Sequence, residues 1–101
     1  MSYIEALKKF NKKCYPKAKK MYFDNEFTDK GTIWIQLSSP PHFSPLMGSG
    51  ATVEEAKENA AKAWLELWRE RDDMGAKPPV NWAELEKIAG QKIVAVKDED
   101  S

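Results

Sequence analysis

Gly48-Ser49-Gly50 stands immediately ahead of Thr52, and this junction constrains the fold more than any other stretch of the chain. Two glycines spaced one apart let an extended segment turn sharply and let another backbone approach closely. Thr52 with Glu55 three residues on reads as a capping box that opens a helix. Val53, Ala56, Ala60, Trp64, Leu67 and Trp68 then recur at three- to four-residue spacing along one side, which predicts a helix over 52–68. Its alanines are small enough for the helix to lie close on a sheet, so a strand running into a tightly packed helix is expected.

Upstream, Ile4, Leu7, Phe10 and Cys14 form a second stripe at helical spacing, predicting a helix from Ser2 to about Cys14 with Ser2 and Glu5 as its capping box. Pro16 ends it, because proline lacks the amide donor and disfavours a helical Tyr15. Two β-like runs follow, Lys20–Glu26 and Thr32–Ser38, joined by a glycine-containing loop over Phe27–Gly31, so they are expected as antiparallel neighbours. In the second run Ile33, Ile35 and Leu37 share one face and Thr32, Trp34 and Gln36 the other, with the aliphatics expected inward and Trp34 outward, beside Met21 or Phe23. Phe43–Met47 is a third strand candidate, held to an edge by Pro45. After Arg71 the pattern lapses into a Pro- and Gly-containing linker over 74–80. A short helix from Asn81 to Ala89 with Gly90 as its stop, a brief strand over Ile93–Val96 and an acidic end complete the chain. The fold class is α+β, in the order α-β-β-β-α, with two helices on one face of a three-stranded antiparallel sheet. Residues 1–73 are expected to form the domain and residues 81–101 a short extension. Trp82 and Ile93–Val96 are candidates to cover the Trp34 face, or for the tail to pair with a sheet edge.

Charge is distributed unevenly. The first 20 residues hold seven lysines against Glu5 alone, a balance of +6, and the remainder carries −6. Such an arrangement suits a polyanion-facing side, although a solvated lysine face has the same pattern. Cys14 is a single cysteine, no apolar run approaches the roughly 18–20 residues of a membrane span, and Met1 is followed by Glu5, Lys8 and Lys9. A cytoplasmic location, with the nucleus as an alternative, is expected. Neither His42 nor Cys14 has triad partners at suitable spacing, and no ligand spacing for a metal is seen. We therefore expect a binding protein without cofactor or metal.

The run from Gly48 through Thr52, Ala56, Lys57, Ala60 and Ala61 resembles the closing signature of double-stranded-RNA-binding domains, G-x-G-x-S-K-K-x-A-K-x-x-A-A. The likeness covers roughly residues 2–70. It implies recognition of A-form duplex shape through 2′-hydroxyls and phosphates. Three patches would carry it: the first helix, the loop between the first two strands, and lysines opening the last helix. On this chain the resemblance assigns contacts to Lys8, Lys9, Lys12 and Lys13 on the first helix, Lys30 in the hairpin loop and Lys57 on the last helix. Val53 and Glu54 stand where the signature has its leading lysines, Lys30-Gly31-Thr32 lacks the G-P-x-H of the loop, and Leu7-Lys8-Lys9-Phe10 is richer in lysine than the usual stretch. The chain is thus expected to be a divergent member, binding double-stranded RNA and shielding it as a small regulator of RNA silencing or innate immunity. The alternative is a protein-interaction module or homodimer that docks through Trp34 and Phe43.

Overall fold

In the computed structural model, which describes residues 2–40, 43–73 and 81–94, the elements are α1 (Tyr3–Cys14), β1 (Tyr22–Asp29), β2 (Thr32–Ser38), β3 (Leu46–Gly50), α2 (Val53–Asp73) and α3 (Trp82–Ala89). The strands form an antiparallel sheet in the order β1-β2-β3. The α-β-β-β-α layout expected from the sequence is therefore present, followed by a further helix.

Both capping boxes form in part. Ser2 Oγ accepts from the Glu5 amide at 3.2 Å, and Thr52 Oγ1 accepts from the Glu55 amide at 3.1 Å. Glu55 reaches back to the Ala51 amide at 2.5 Å, which ties the glycine turn to the first turn of α2. That turn is close. A Cβ on Gly48 would lie 2.5 Å from both the Cβ and the amide nitrogen of Ala60, so the backbone of β3 sits directly under α2.

The core lies between the sheet and the helices. Leu7 and Phe10 of α1, Leu37 of β2, and Ala60, Ala61, Trp64 and Leu65 of α2 are buried together, with Phe23 and Leu46 packed against them. Trp68 packs against Phe10 and Tyr15 with its ring tilted to both. Ile35 and Leu37 are buried as expected, whereas Trp34 lies on the outer face between Phe27 and Ser49. Alternation along a strand accounts for both.

Several boundaries depart from the sequence reading. β1 continues through Phe27 to Asp29, so the connection is only Lys30-Gly31, both left-handed at φ 52° and 81°. Those angles match the twist of a two-residue hairpin turn. An irregularity between Asp24 and Phe27, with Asn25 at φ 55°, absorbs the extra residue and pairs Phe27 with Trp34. Trp34 therefore stacks on Phe27 at 6.4 Å and 10°, not beside Met21 or Phe23, which pack inward. β3 starts at Leu46, one residue beyond Pro45, and Phe43 lies outside it at φ 55°.

α3 packs along α1. Asn81 Oδ1 accepts from Ala83 and Glu84 amides, Gly90 ends the helix at φ 81°, and Trp82, Leu85, Ala89 and Ile93 join the same core as Leu7 and Phe10. This overturns the expectation that Trp82 and Ile93 cover Trp34. Ile93 is in no strand: its amide donates to Glu86 Oε2 at 3.0 Å and its side chain is buried. The linker over 74–80, His42, Ala95–Val96 and the acidic end lie outside the described residues.

Candidate nucleic-acid interface

The six lysines singled out in the sequence do not converge on one surface. Lys30 occupies the tip of the β1–β2 turn, exposed and with no neighbouring lysine in the turn. α2 enters at that same end of the sheet, because Gly50 pairs with Ile33. Its first turn presents Glu54 and Glu55. Lys57 is half-buried, its ammonium 5.4 Å from the centre of the Phe23 ring, so the position the resemblance gives to phosphate is committed to a cation–π contact within the fold.

At this end the N-terminus of α1 is also occupied. Glu58 of α2 accepts from Ser2 Oγ at 2.6 Å and from the amides of Tyr3 at 2.6 Å and Ile4 at 3.4 Å. Its carboxylate satisfies donors that a helix N-terminus otherwise leaves open and complements the helix dipole. Glu58 was not marked by sequence reasoning, because the signature assigns no role to that position.

The opposite end is basic. The sheet is about 20 Å long at ~3.3 Å per residue, and α1 runs toward the end holding Ser38 and the start of β1. There a groove of about 710 Å³ opens between three segments. α1 contributes Lys8, Asn11 and Lys12. The connection to β1 contributes Tyr15, Lys19, Lys20 and Met21, and Pro40 closes the far side. Four lysines thus line one concavity with no acidic residue among its described lining residues. Lys8 approaches Glu5 at 3.6 Å, an exposed pair of the kind that contributes about 0–1 kcal/mol. Lys9 pairs with Glu84 of α3 at 3.8 Å and Lys13 is exposed. The helix wheel puts these two toward the α3 side of α1, each about 100° round from the lysine before it.

Asn11 is unusual for this position. It is 9% exposed, its Nδ2 donates to Ser39 Oγ at 2.8 Å, and its Oδ1 is buried without a hydrogen-bond partner. An orphaned buried acceptor costs about 1–3 kcal/mol. Lys19 and Lys20 entered the charge balance of the first 20 residues without being assigned to a site. The signal for them was the density of lysine after Pro16, which brings the chain back past α1.

The outer face of the sheet carries the second candidate surface. Phe27 and Tyr22 are each 50% exposed. Phe27 stacks on Trp34, and Tyr22 stacks on Phe43 at 6.2 Å and 19°. Trp34 and Phe43 are both half-buried, each against its aromatic neighbour.

Cys14 is half-buried beside Lys13. Burial pushes its thiol pKa up and the nearby ammonium opposes this only in part, which leaves it a weak nucleophile at neutral pH. Among the described residues no group of three His, Cys, Asp or Glu is placed to hold a metal ion, and no helix is long and apolar enough to cross a membrane. Comparison with family models, curated proteins and solved structures found no match.

Proposed function

We propose that this chain binds double-stranded RNA through phosphate and shape recognition, with the basic end of α1 as its principal contact, and that it acts by shielding duplex RNA in the cytoplasm. The observation that carries the reading is the placement of Lys8, Lys12, Lys19 and Lys20 around one groove with no acidic residue among its described lining residues. Phosphate binding is largely electrostatic and gains from released counterions, so such a cluster is the feature of this molecule best matched to a nucleic-acid backbone. The strand-to-helix packing at Gly48, Ala56 and Ala60 supports the same reading, since it has the close approach that the resemblance implies.

The mode of binding differs from the three-patch scheme. Glu54 and Glu55 repel phosphate at the α2 entrance, and Lys30 is the lone cation of the hairpin turn. Binding is therefore concentrated on α1 and its connection to β1. A gel-shift comparison of RNA and DNA duplexes of about 16–20 base pairs tests this: RNA is expected to shift at low salt, and Lys12→Glu to weaken the shift. No shift at low salt ends the reading.

A second reading rests on the stacked, exposed aromatics of the outer sheet face, which suit a homodimer or protein partner. Light scattering across concentration checks it. A concentration-dependent dimer that Trp34→Ala dissociates supports the reading, and a monomer at every concentration excludes self-association.

A further inference from the structure

We infer that the groove receives the 5′-phosphorylated end of an RNA strand, with terminal phosphates between the lysines and a ribose hydroxyl donating to Asn11 Oδ1. The inference rests on the reading of this chain as an RNA binder and names the part of the RNA that the groove takes.

Shape is the first reason. A duplex backbone presents single negative charges along a ridge, which a flat or convex row of cations follows. Here the cations border a concavity of about 710 Å³ built from three separate segments, within the range of sites that enclose a nucleotide-sized ligand. The lysines at its rim can follow a duplex backbone, while a strand end carries its terminal phosphates into the concavity itself.

Charge is the second. Lys8, Lys12, Lys19 and Lys20 line one groove without an acid among its described lining residues, Glu5 meeting Lys8 from outside it. A terminal phosphate group carries more negative charge than an internal diester, because its second ionisation lies near pH 6. A 5′-triphosphate concentrates still more charge in the same space, so the lysines favour ends in the order triphosphate, monophosphate, hydroxyl.

The third reason is Asn11. Its Nδ2 is held by Ser39 Oγ, which fixes the amide, while Oδ1 remains buried and unpartnered beside the groove. Phosphate oxygens are acceptors at neutral pH and do not satisfy it. A ribose 2′-hydroxyl, the donor that separates RNA from DNA, satisfies it once the Asn11 side chain, which lines the groove, turns Oδ1 out of its buried position. Lysines and asparagine thus ask for different atoms of one terminal ribonucleotide, and Pro40 and Met21 supply apolar walls beside it.

The experiment is a fluorescence titration of the full 101-residue chain with blunt RNA duplexes of one sequence, labelled at a 3′ end, bearing 5′-triphosphate, 5′-monophosphate or 5′-hydroxyl. The expected result is an affinity gain of about tenfold or more for triphosphate over hydroxyl at low salt, as for three added phosphate groups. Lys19→Glu/Lys20→Glu, in an exposed connection that leaves the core intact, is expected to erase the difference between ends. Asn11→Ala is expected to bring 5′-triphosphate RNA and its DNA counterpart to equal affinity. Equal binding of all three ends overturns the inference while duplex binding stands; absence of binding by any duplex overturns both. Should Asn11→Ala fail to fold, the shift of the wild-type Asn11 side-chain amide resonances on adding the 5′-triphosphate duplex, but not the 5′-hydroxyl duplex, gives the same test. Unmoved resonances count against the site.

Discussion

Gly48→Ala is expected to destabilise the protein by about 2–3 kcal/mol, and the figure can be worked from the packing of β3 under α2. A Cβ at this position would lie 2.5 Å from Ala60 Cβ and from the Ala60 amide nitrogen and would press on the Ala56 carbonyl oxygen as well. Ordinary carbon contacts are about 3.5–4.0 Å, so α2 would have to retreat by about 1 Å. None of these atoms belongs to a side chain that can swing aside. Overpacking typically costs about 1–3 kcal/mol, and a clash with fixed backbone belongs at or above the upper end. A smaller gain of about 0.4–1 kcal/mol, from removing glycine's freedom in the unfolded chain, partly offsets it. Against a total of roughly 5–15 kcal/mol for a domain of this size, the loss is large. Urea unfolding followed by tryptophan fluorescence measures it: with a slope of about 1–3 kcal/mol/M, the midpoint falls by roughly 0.7–3 M. Gly50→Ala is the comparison. There a Cβ would meet Glu55 Cγ at 2.7 Å, Glu55 Cβ at 2.8 Å and the Ala56 amide nitrogen at 2.9 Å, longer contacts with one backbone atom instead of two, so the change should be somewhat smaller. A Gly48→Ala protein within about 0.5 kcal/mol of wild type, or less affected than Gly50→Ala, would refute the reasoning.

Glu58→Ala removes the acceptor that receives Ser2 Oγ and the Tyr3 and Ile4 amides, and should cost about 1–2 kcal/mol. The melting temperature should then drop by about 4–8 °C per kcal/mol; an unchanged melting point contradicts the capping role. Alkaline pH should also destabilise the fold. Burial is the leading cause that raises the pKa of Tyr3, Cys14 and Tyr15, so the folded chain holds these protons more tightly than the unfolded one. Stability is full below the unfolded values and falls as pH rises through the folded ones. Urea midpoints taken between about pH 9 and 11 should decline, less steeply in Tyr15→Phe, and a midpoint that rises over that interval opposes the assignment.

The elements whose signals are local could be read from the sequence with little error. The caps at Ser2 and Thr52, the stripe of α1, the tight entry at Gly48 and the stop at Gly90 each depend on residues within a turn or two. The outward Trp34 followed from strand alternation alone. What was not legible depends on backbone angles that composition does not announce. Lys30 adopts a left-handed conformation usually left to glycine or asparagine, which shortens the hairpin turn to two residues. The irregularity at Asn25 then puts Phe27, read as loop, against Trp34. The end of α2 was set too early because Arg69 to Asp73 carry no apolar stripe, although nothing in them breaks a helix. α3 was visible as a helix, but its partner was not, since an amphipathic face states that it is buried and not against what.

For the candidate surface, helical spacing separates Lys8 and Lys12 from Lys9 and Lys13 only because α3 flanks one side of α1. Lys19 and Lys20 join the first pair because the chain doubles back after Pro16, a long-range event. Lys57 illustrates the converse. Its position matches the signature, yet a neighbouring aromatic on β1 holds its charge within the fold.

The most direct test of RNA recognition by the basic end of α1 is the salt dependence of affinity for an RNA duplex. With four lysines as the contacts, the logarithm of affinity should fall with the logarithm of salt at a slope of about −3 to −4. Lys12→Glu/Lys19→Glu should reduce the steepness by about 2, whereas Lys57→Ala should leave it unchanged. No measurable binding at low salt, or a slope that only Lys57→Ala reduces, would contradict the account.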